Sequence, residues 1–327
     1  MSMRPRQPER REFLRTLGGS ALALSFVGAG RTAGGKPLRG VFPIGQTPVT
    51  PENELDLECL RNEVGLCNRH QVHGFAWPQI ASGWDTLSEK ERFDGAEAIL
   101  AAGKGGRTAL VIGVQDKDGN LEKSVGYARH AARNGADAII SLPPAKAGDS
   151  AMIEYYRAIG KATDLPLIVQ TQGETSVDLV VAMFQQIPTM KCVKDEAGNP
   201  LARVTQLRER TGDRLAVFSG NGVRTMIDEM RLGFAGHCPM TVLSDFYAAA
   251  YDLWHAGKKR EAFDMFGRIQ AFSSITGALG YLMVVRGVFK EDTRTRGGRG
   301  AAAPLDESGK KAVRDAWDEF MKPYLRG

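Results

Sequence analysis

The stretch Met190-Lys191-Cys192-Val193-Lys194-Asp195-Glu196-Ala197-Gly198-Asn199 carries the most reactive arrangement in the chain. A short run containing a β-branched residue brings Lys194 to the point where the sequence breaks into two acids and an Ala-Gly-Asn turn. Lysine is depleted in strands and rarely buried, so one at the last position of a strand needs a reason. It is either a solvated lysine at a strand end or an amine held at the mouth of a barrel, able to form a Schiff base with a carbonyl substrate. Asp195 and Glu196 would favour the ammonium form if they pointed at it, and so oppose nucleophilicity. They are expected to turn away into the loop.

The elements around this run alternate from Gly40 onward. Predicted strands cover Val41 to Thr47, Gly74 to Trp77, Thr108 to Gly113, Ala138 to Leu142, Leu167 to Gln170, Met190 to Lys194, Ala216 to Ser219 and Gly236 to Cys238. Between and after them, helices are predicted over Asp56 to Asn68, Ser88 to Ala102 with Glu91 in the capping-box position, Leu121 to Asn134, Met152 to Ala162, Val177 to Gln186, Leu201 to Glu209, Val223 to Leu232 and Asp245 to His255. Eight strand–helix units predict an α/β chain folded as a parallel (β/α)8 barrel over residues 39–257. A doubly wound open sheet is less well supported, because no G-x-G-x-x-G follows the first strand. Residues 258–327 read as C-terminal helices packed on the barrel, with a loose Arg-Gly-Ala segment from Thr293 to Pro304.

The composition is that of a globular protein, with 43% hydrophobic and 25% charged residues among 327. The formal net charge is +5, but five Arg against two Glu in residues 1–29 supply +3 of it. With the body near +2 and no zinc spacing or basic helical stripe, nucleic acid is excluded as the main partner. Residues 1–29 join Glu9-Arg10-Arg11-Glu12-Phe13-Leu14-Arg15 to an apolar run from Leu17 to Ala29, too short to span a bilayer comfortably. This segment resembles a twin-arginine export signal and predicts a periplasmic protein, released near Gly30 or anchored if the segment stays uncleaved. Residues 30–38 read as a flexible lead, and no stable membrane insertion is expected after export. Cys59 and Cys67 lie about 12 Å apart along one predicted helix, too far to bridge. Cys192 and Cys238 fall on separate strands as buried small hydrophobes.

The order of motifs is similar to that of the dihydrodipicolinate synthase and N-acetylneuraminate lyase family of class I aldolases. The resemblance runs from Arg39 to Leu325: Gly40 through Thr47-Pro48-Val49, Thr86-Leu87-Ser88-Glu89-Lys90-Glu91-Arg92, Gly113-Val114, Gly135-Ala136-Asp137 with Pro143-Pro144, Val193-Lys194-Asp195-Glu196-Ala197-Gly198-Asn199 and Gly233-Phe234-Ala235-Gly236. It implies that Lys194 is the Schiff-base lysine, attacking the keto carbon of a 2-oxo acid, with no cofactor beyond that covalent bond. It also implies a homo-oligomer. The departures fall on the partners of that lysine. Where the family has Gly-Thr-Thr-Gly-Glu for the substrate carboxylate, this chain has Gln79-Ile80-Ala81-Ser82-Gly83, leaving Ser82 and the amides around Gly83 to bind it. The family's fifth strand ends in Tyr-Asn, the Tyr being the proton shuttle; here it ends in Gln170-Thr171, placed against substrate by that correspondence. The Arg expected shortly afterwards is absent from Gln172-Gly173-Glu174-Thr175, and the tyrosine pair after the Pro-Pro is replaced by Ala145-Lys146.

A side chain that titrates must replace the missing phenol if the site turns over. Glu174 and His237 are the nearest candidates, Asn221 could donate to a substrate oxygen, and Trp77 and Trp84 could line the pocket. Three functions compete: an exported lyase acting on a 2-oxo acid or sugar acid, a non-catalytic binding barrel, and a metal-dependent hydrolase. The third is weakest, because the five histidines (His70, His73, His130, His237 and His255) form no His-x-His at the first strand, and no metal site is predicted.

Overall fold

A computed structural model describes residues 31–297 and 305–325. All eight predicted strands form: β1 Gly40–Val41, β2 Gly74–Trp77, β3 Ala109–Gly113, β4 Ala138–Ser141, β5 Leu167–Gln170, β6 Met190–Asp195, β7 Ala216–Ser219 and β8 Gly236–His237. They pair in parallel in sequence order, and β8 returns to β1. The ring closes where Ala76 N donates to Pro43 O and Gly45 N to Ala76 O, both at 2.9 Å. Helices α1 Leu57–Arg69, α2 Glu89–Ala102, α3 Leu121–Arg133, α4 Asp149–Ala162, α5 Val177–Gln186, α6 Pro200–Thr211, α7 Met226–Leu232 and α8 Ser244–His255 alternate with the strands. This is the (β/α)8 barrel that the sequence pattern predicts.

The first strand is shorter than Val41 to Thr47. Pro43 has no N–H for the ladder, and beyond Val41 the pairing continues as single bonds such as Phe42 N to His237 O and as isolated bridges at Ile44. Strand alternation then sorts two cores. Val111, Ile140, Ile168, Cys192 and Phe218 fill the barrel, whereas Leu110, Ile139, Val169, Val193 and Val217 face the helices. Helix starts follow the predicted caps: Asp56 accepts from Glu58 N and Cys59 N, and Ser88 and Glu91 form a reciprocal capping box. All four cysteines are buried and unpaired.

The described part of the predicted lead, from Arg31, makes contacts with the barrel. Thr32 N donates to Lys36 O, Ala33 N donates to Asp137 O, and Lys36 Nζ pairs with Asp137 at 2.8 Å, while Leu38 is fully buried beneath the barrel core. A lysine–carboxylate pair and a buried leucine hold that segment against the start of β4.

The C-terminal helices α9 Lys259–Ser273, α10 Ala278–Val285 and α11 Glu307–Ala316 pack on the barrel's helical layer. Trp317 lies edge-on to Phe246 of α8, and Arg286 makes a bidentate pair with Asp245 in which both side chains are buried. After α10 the chain comes back to the loops that follow β1 and β2. Arg294–Thr295 pairs antiparallel with Pro48–Val49, and Arg296 N donates to Thr47 O. Gly83 and Gly297 meet backbone to backbone, both at positive φ; a Cβ on Gly297 would stand 2.2 Å from Gly83 Cα. Among the described residues no helix is long and apolar enough to cross a membrane.

Candidate active site

Lys194 stands one residue from the end of β6, and alternation from Cys192 turns it into the barrel. Register sets it beside Gln170 on β5 and Phe218 on β7, above the apolar layer of Ile168 and Cys192. Its side chain is 6% exposed, so the solvated reading of this lysine does not hold. A buried ammonium needs a partner. Glu196 supplies it, with Oε2 3.3 Å from Nζ.

The two acids after the lysine therefore diverge. Asp195 turns outward as expected, into a bidentate pair with Arg203 of α6 at 2.8 and 3.1 Å. Glu196 was expected to turn away and does the opposite. Counting two onward from Lys194 returns the side chain to the barrel's inner side, although regular pairing has ended at Asp195. Gln170 Nε2 donates to the same Oε2. Gly220, just past β7, makes room for the carboxylate: a Cβ there would lie 1.7 Å from Glu196 Oε1 and 2.9 Å from Lys194 Cε. Lys194, Glu196, Gln170 and Gly220 thus form one cluster from β6 and its two neighbours.

The other predicted site residues are placed as follows. The Ser82 hydroxyl donates to Gly45 O at 2.6 Å and accepts from Gln79 N at 3.0 Å, so its proton is committed to the loop after β1. Gly83 N donates to Ile80 O, and its Cα faces Gly297, so neither is turned to a carboxylate. The Thr171 hydroxyl donates to Asp195 Oδ1 at 2.6 Å and accepts from Glu196 N and Ala197 N; its donor and both acceptor positions are used. This threonine shapes the loop that aims Glu196. Of the predicted binding residues, only Gln170 joins the lysine.

Neither predicted acid–base residue does. Glu174 is exposed on the loop after β5. His237 is fully buried but points outward, where Nδ1 meets Glu229 of α7 at 2.7 Å and the ring packs edge-on against Tyr251 of α8. Burial raises the Glu229 carboxyl's pKa, but hydrogen bonds from His237, Ser219 and Thr225 outweigh it and hold the value below the ordinary range. Trp77 is also in the helical layer, donating from Nε1 to Thr47 Oγ1 at 3.1 Å. The side chain of Asn221 lies outside what the structure describes.

Two further buried amides follow β2 and β3, without a signal in the sequence pattern. Gln79 and Gln115 both donate from Nε2 to Pro78 O at 2.9 Å, and Gln79 Nε2 also reaches Gln115 Oε1. Gln79 Oε1 and Gln170 Oε1 are buried acceptors without a hydrogen-bond partner. The phenol nearest Gln170 is that of Tyr156, which reaches its backbone oxygen from α4 at 3.0 Å. Burial pushes that phenol's pKa well up, and it stands in the layer of helices behind the strands. Burial likewise raises the thiols of Cys192 and Cys238 in the barrel, the latter to about 12.

Fold and site together define a parallel barrel with a buried lysine at the C-terminal end of its sixth strand. The chain matches the model of the Dihydrodipicolinate synthetase family over residues 37–316 and belongs to that family. It is 28% identical over 195 residues to the 4-hydroxy-tetrahydrodipicolinate synthase of Alcanivorax borkumensis, covering 58% of this chain and 65% of that protein. The enzyme of the same name from Methanothrix thermoacetophila is 27% identical over 195 residues, covering 58% and 64%. The matched stretch thus spans less than two thirds of either relative. Among solved structures, N-acetylneuraminate lyase from Mycoplasma synoviae superposes with a TM-score of 0.73 at 20% identity, covering 88% of this chain and 98% of that one. A catalytic-lysine mutant of Ruminococcus gnavus sialic acid aldolase gives 0.71 at 18%, covering 86% and 98%. At these identities the structural likeness concerns the fold.

Proposed function

We propose that this protein is a Schiff-base lyase or aldolase that acts on a 2-oxo acid through Lys194. The observation that carries this reading is a buried lysine at the catalytic end of a barrel strand, with its Nζ inside a polar cluster. The amine attacks the keto carbon, and the resulting iminium draws in the electron pair of a bond at C3: C3–C4 in cleavage, C3–H in condensation or dehydration. The names of the relatives support the chemistry, and the catalytic lysine of the Ruminococcus protein supports the choice of residue. The absent Thr-Thr pair and Arg argue against the reaction named for the synthases. The buried Gln170 Oε1, an acceptor without a partner beside the lysine, favours a substrate with a hydroxyl donor, as a sugar-derived oxo acid has.

Incubation with 2-oxo acids and borohydride, followed by peptide mass spectrometry, tests this reading. A reduced adduct on Lys194 is expected, and none with any 2-oxo acid while Lys194 is intact would sink it. One observation favours a non-catalytic binding barrel instead. Glu196 beside Nζ stabilises the ammonium, which cannot attack a carbonyl. An adduct that traps but never turns over would support that second reading.

We also propose export through the twin-arginine route, directed by residues 1–29, and assembly into a homo-oligomer. Exchange of Arg10 and Arg11 for Lys should hold the protein in the cytoplasmic fraction, and light scattering should give a mass above one chain.

A further inference from the structure

The proposed lysine chemistry lacks a proton carrier in the place where the family has a phenol, because Gln170 does not titrate. We propose that Glu196 is that carrier. The inference rests on the Schiff-base reading of Lys194. Its grounds are geometric. Oε2 is 3.3 Å from the reacting nitrogen and held by Gln170 Nε2; Oε1 is seated against Gly220, where no larger residue fits without displacing it. The lysine side chain is 6% exposed and that of Glu196 20%, so the carboxylate is the more solvent-accessible of the two. Among the described residues no other acid forms an ion pair with this lysine.

The steps balance through this one group. Resting Lys194 is an ammonium, and one proton passes to Glu196 to free the electron pair. That pair forms the N–C2 bond as the carbonyl π pair moves to oxygen. Glu196 protonates this oxygen, takes a second proton from nitrogen, and delivers it as the oxygen leaves. Of the three ammonium protons, two depart on the water and one stays on the iminium. Glu196, again a carboxylate, then removes a proton from C3; that C–H pair forms C2=C3 and the C2=N pair returns to nitrogen. The acid that holds the ammonium at rest thereby becomes the base that releases it. Gln170 is a positioning residue in this scheme.

The experiment uses the full chain, pyruvate as probe, borohydride trapping and exchange of the pyruvate methyl protons with deuterated water followed by NMR. Wild type should trap on Lys194 and exchange. Glu196→Gln should trap slowly to the same extent, but exchange about 10²- to 10⁴-fold more slowly. Formate should restore part of the exchange to Glu196→Ala. The proposal is overturned if Glu196→Gln exchanges within tenfold of wild type, or if wild type traps without exchanging. Should the Gln variant not fold, Glu196→Ala decides; exchange within tenfold of wild type in the absence of formate also overturns it. Absence of any wild-type adduct removes the Schiff-base reading itself, a result distinct from a trapped adduct that exchanges without Glu196.

Discussion

At the scale of residues, Lys194 and Glu196 stabilise each other, and that has a measurable sign. Removing the lysine alone takes the ammonium away from a largely buried carboxylate to which Gln170 still donates. Lys194→Met should therefore lose about 1–3 kcal/mol in urea unfolding, and adding Glu196→Gln should recover part of it. A double variant no more stable than Lys194→Met would show that the carboxylate left behind costs nothing. Gly220→Ala tests the other wall of the site. Its Cβ would stand 1.7 Å from Glu196 Oε1, so the carboxylate must shift, and a crystal structure of the variant should show the Nζ–Oε2 separation longer than 3.3 Å. The lysine was legible because a charged residue ending an apolar run is anomalous. Glu196 was legible too, by counting two from Lys194, but the adjoining Ala-Gly-Asn turn suggests a loop in which that count lapses. His237 was not: a two-residue strand has no periodicity to say which face it presents.

At the scale of elements, the returning segment around Arg294–Thr295 is the part the sequence concealed. The alternation of runs and the caps at Asp56 and Ser88 are local signals, and apart from the end of β1 they located the strands and helices to within a few residues. The pairing of Arg294–Thr295 with Pro48–Val49 joins segments far apart in the chain and leaves no periodic trace. Its anchor is Glu91, shared between the α2 cap, through Ser88 N and Oγ at 2.8 Å, and Arg296 at 2.8 Å. Partial burial raises the Glu91 pKa, but the Ser88 hydrogen bonds and Arg296 outweigh it, leaving the carboxyl below its ordinary 4.5. For a depressed carboxylate the stabilisation is complete above 4.5 and is lost as pH falls through the lower folded value. The protection factor of the Arg296 amide, which donates to Thr47 O, should accordingly be steady near neutrality and drop on acidification below 4.5. Glu91→Ala should lower it already at pH 7, with a loss of about 1 kcal/mol from the cap. Equal protection in the variant and wild type at pH 7 would show that Glu91 does not hold the segment.

At the scale of the whole molecule, the barrel's closure contains a group that opposes it at alkaline pH. Glu63 of α1 is fully buried where β1 and β8 meet α1. It accepts from Gln46 N with both oxygens at 3.1 Å and lies near Thr241. Burial pushes its pKa up to about 8, and the bonds from Thr241 and Gln46 only partly counter this. The direction is opposite to that of Glu91. Between 4.5 and about 8 the folded chain keeps a proton that the unfolded chain releases, so global stability falls as pH rises through that window. The slope approaches 1.36 kcal/mol per pH unit, a loss of a few kcal/mol by its end. Glu63→Gln cannot titrate. Its amide NH₂ replaces one acceptor of the Gln46 N–H, so near pH 5 the variant should be less stable by about 1 kcal/mol. By pH 8 the order should reverse, because only the wild type then carries a buried charge, with no cation hydrogen-bonded to it among the described residues. Urea titrations at half-unit pH steps, with unchanged m-values, would give two curves that cross. Parallel curves would mean that Glu63 ionises alike in the folded and unfolded chain, and that the closing seam is wetter than its burial implies.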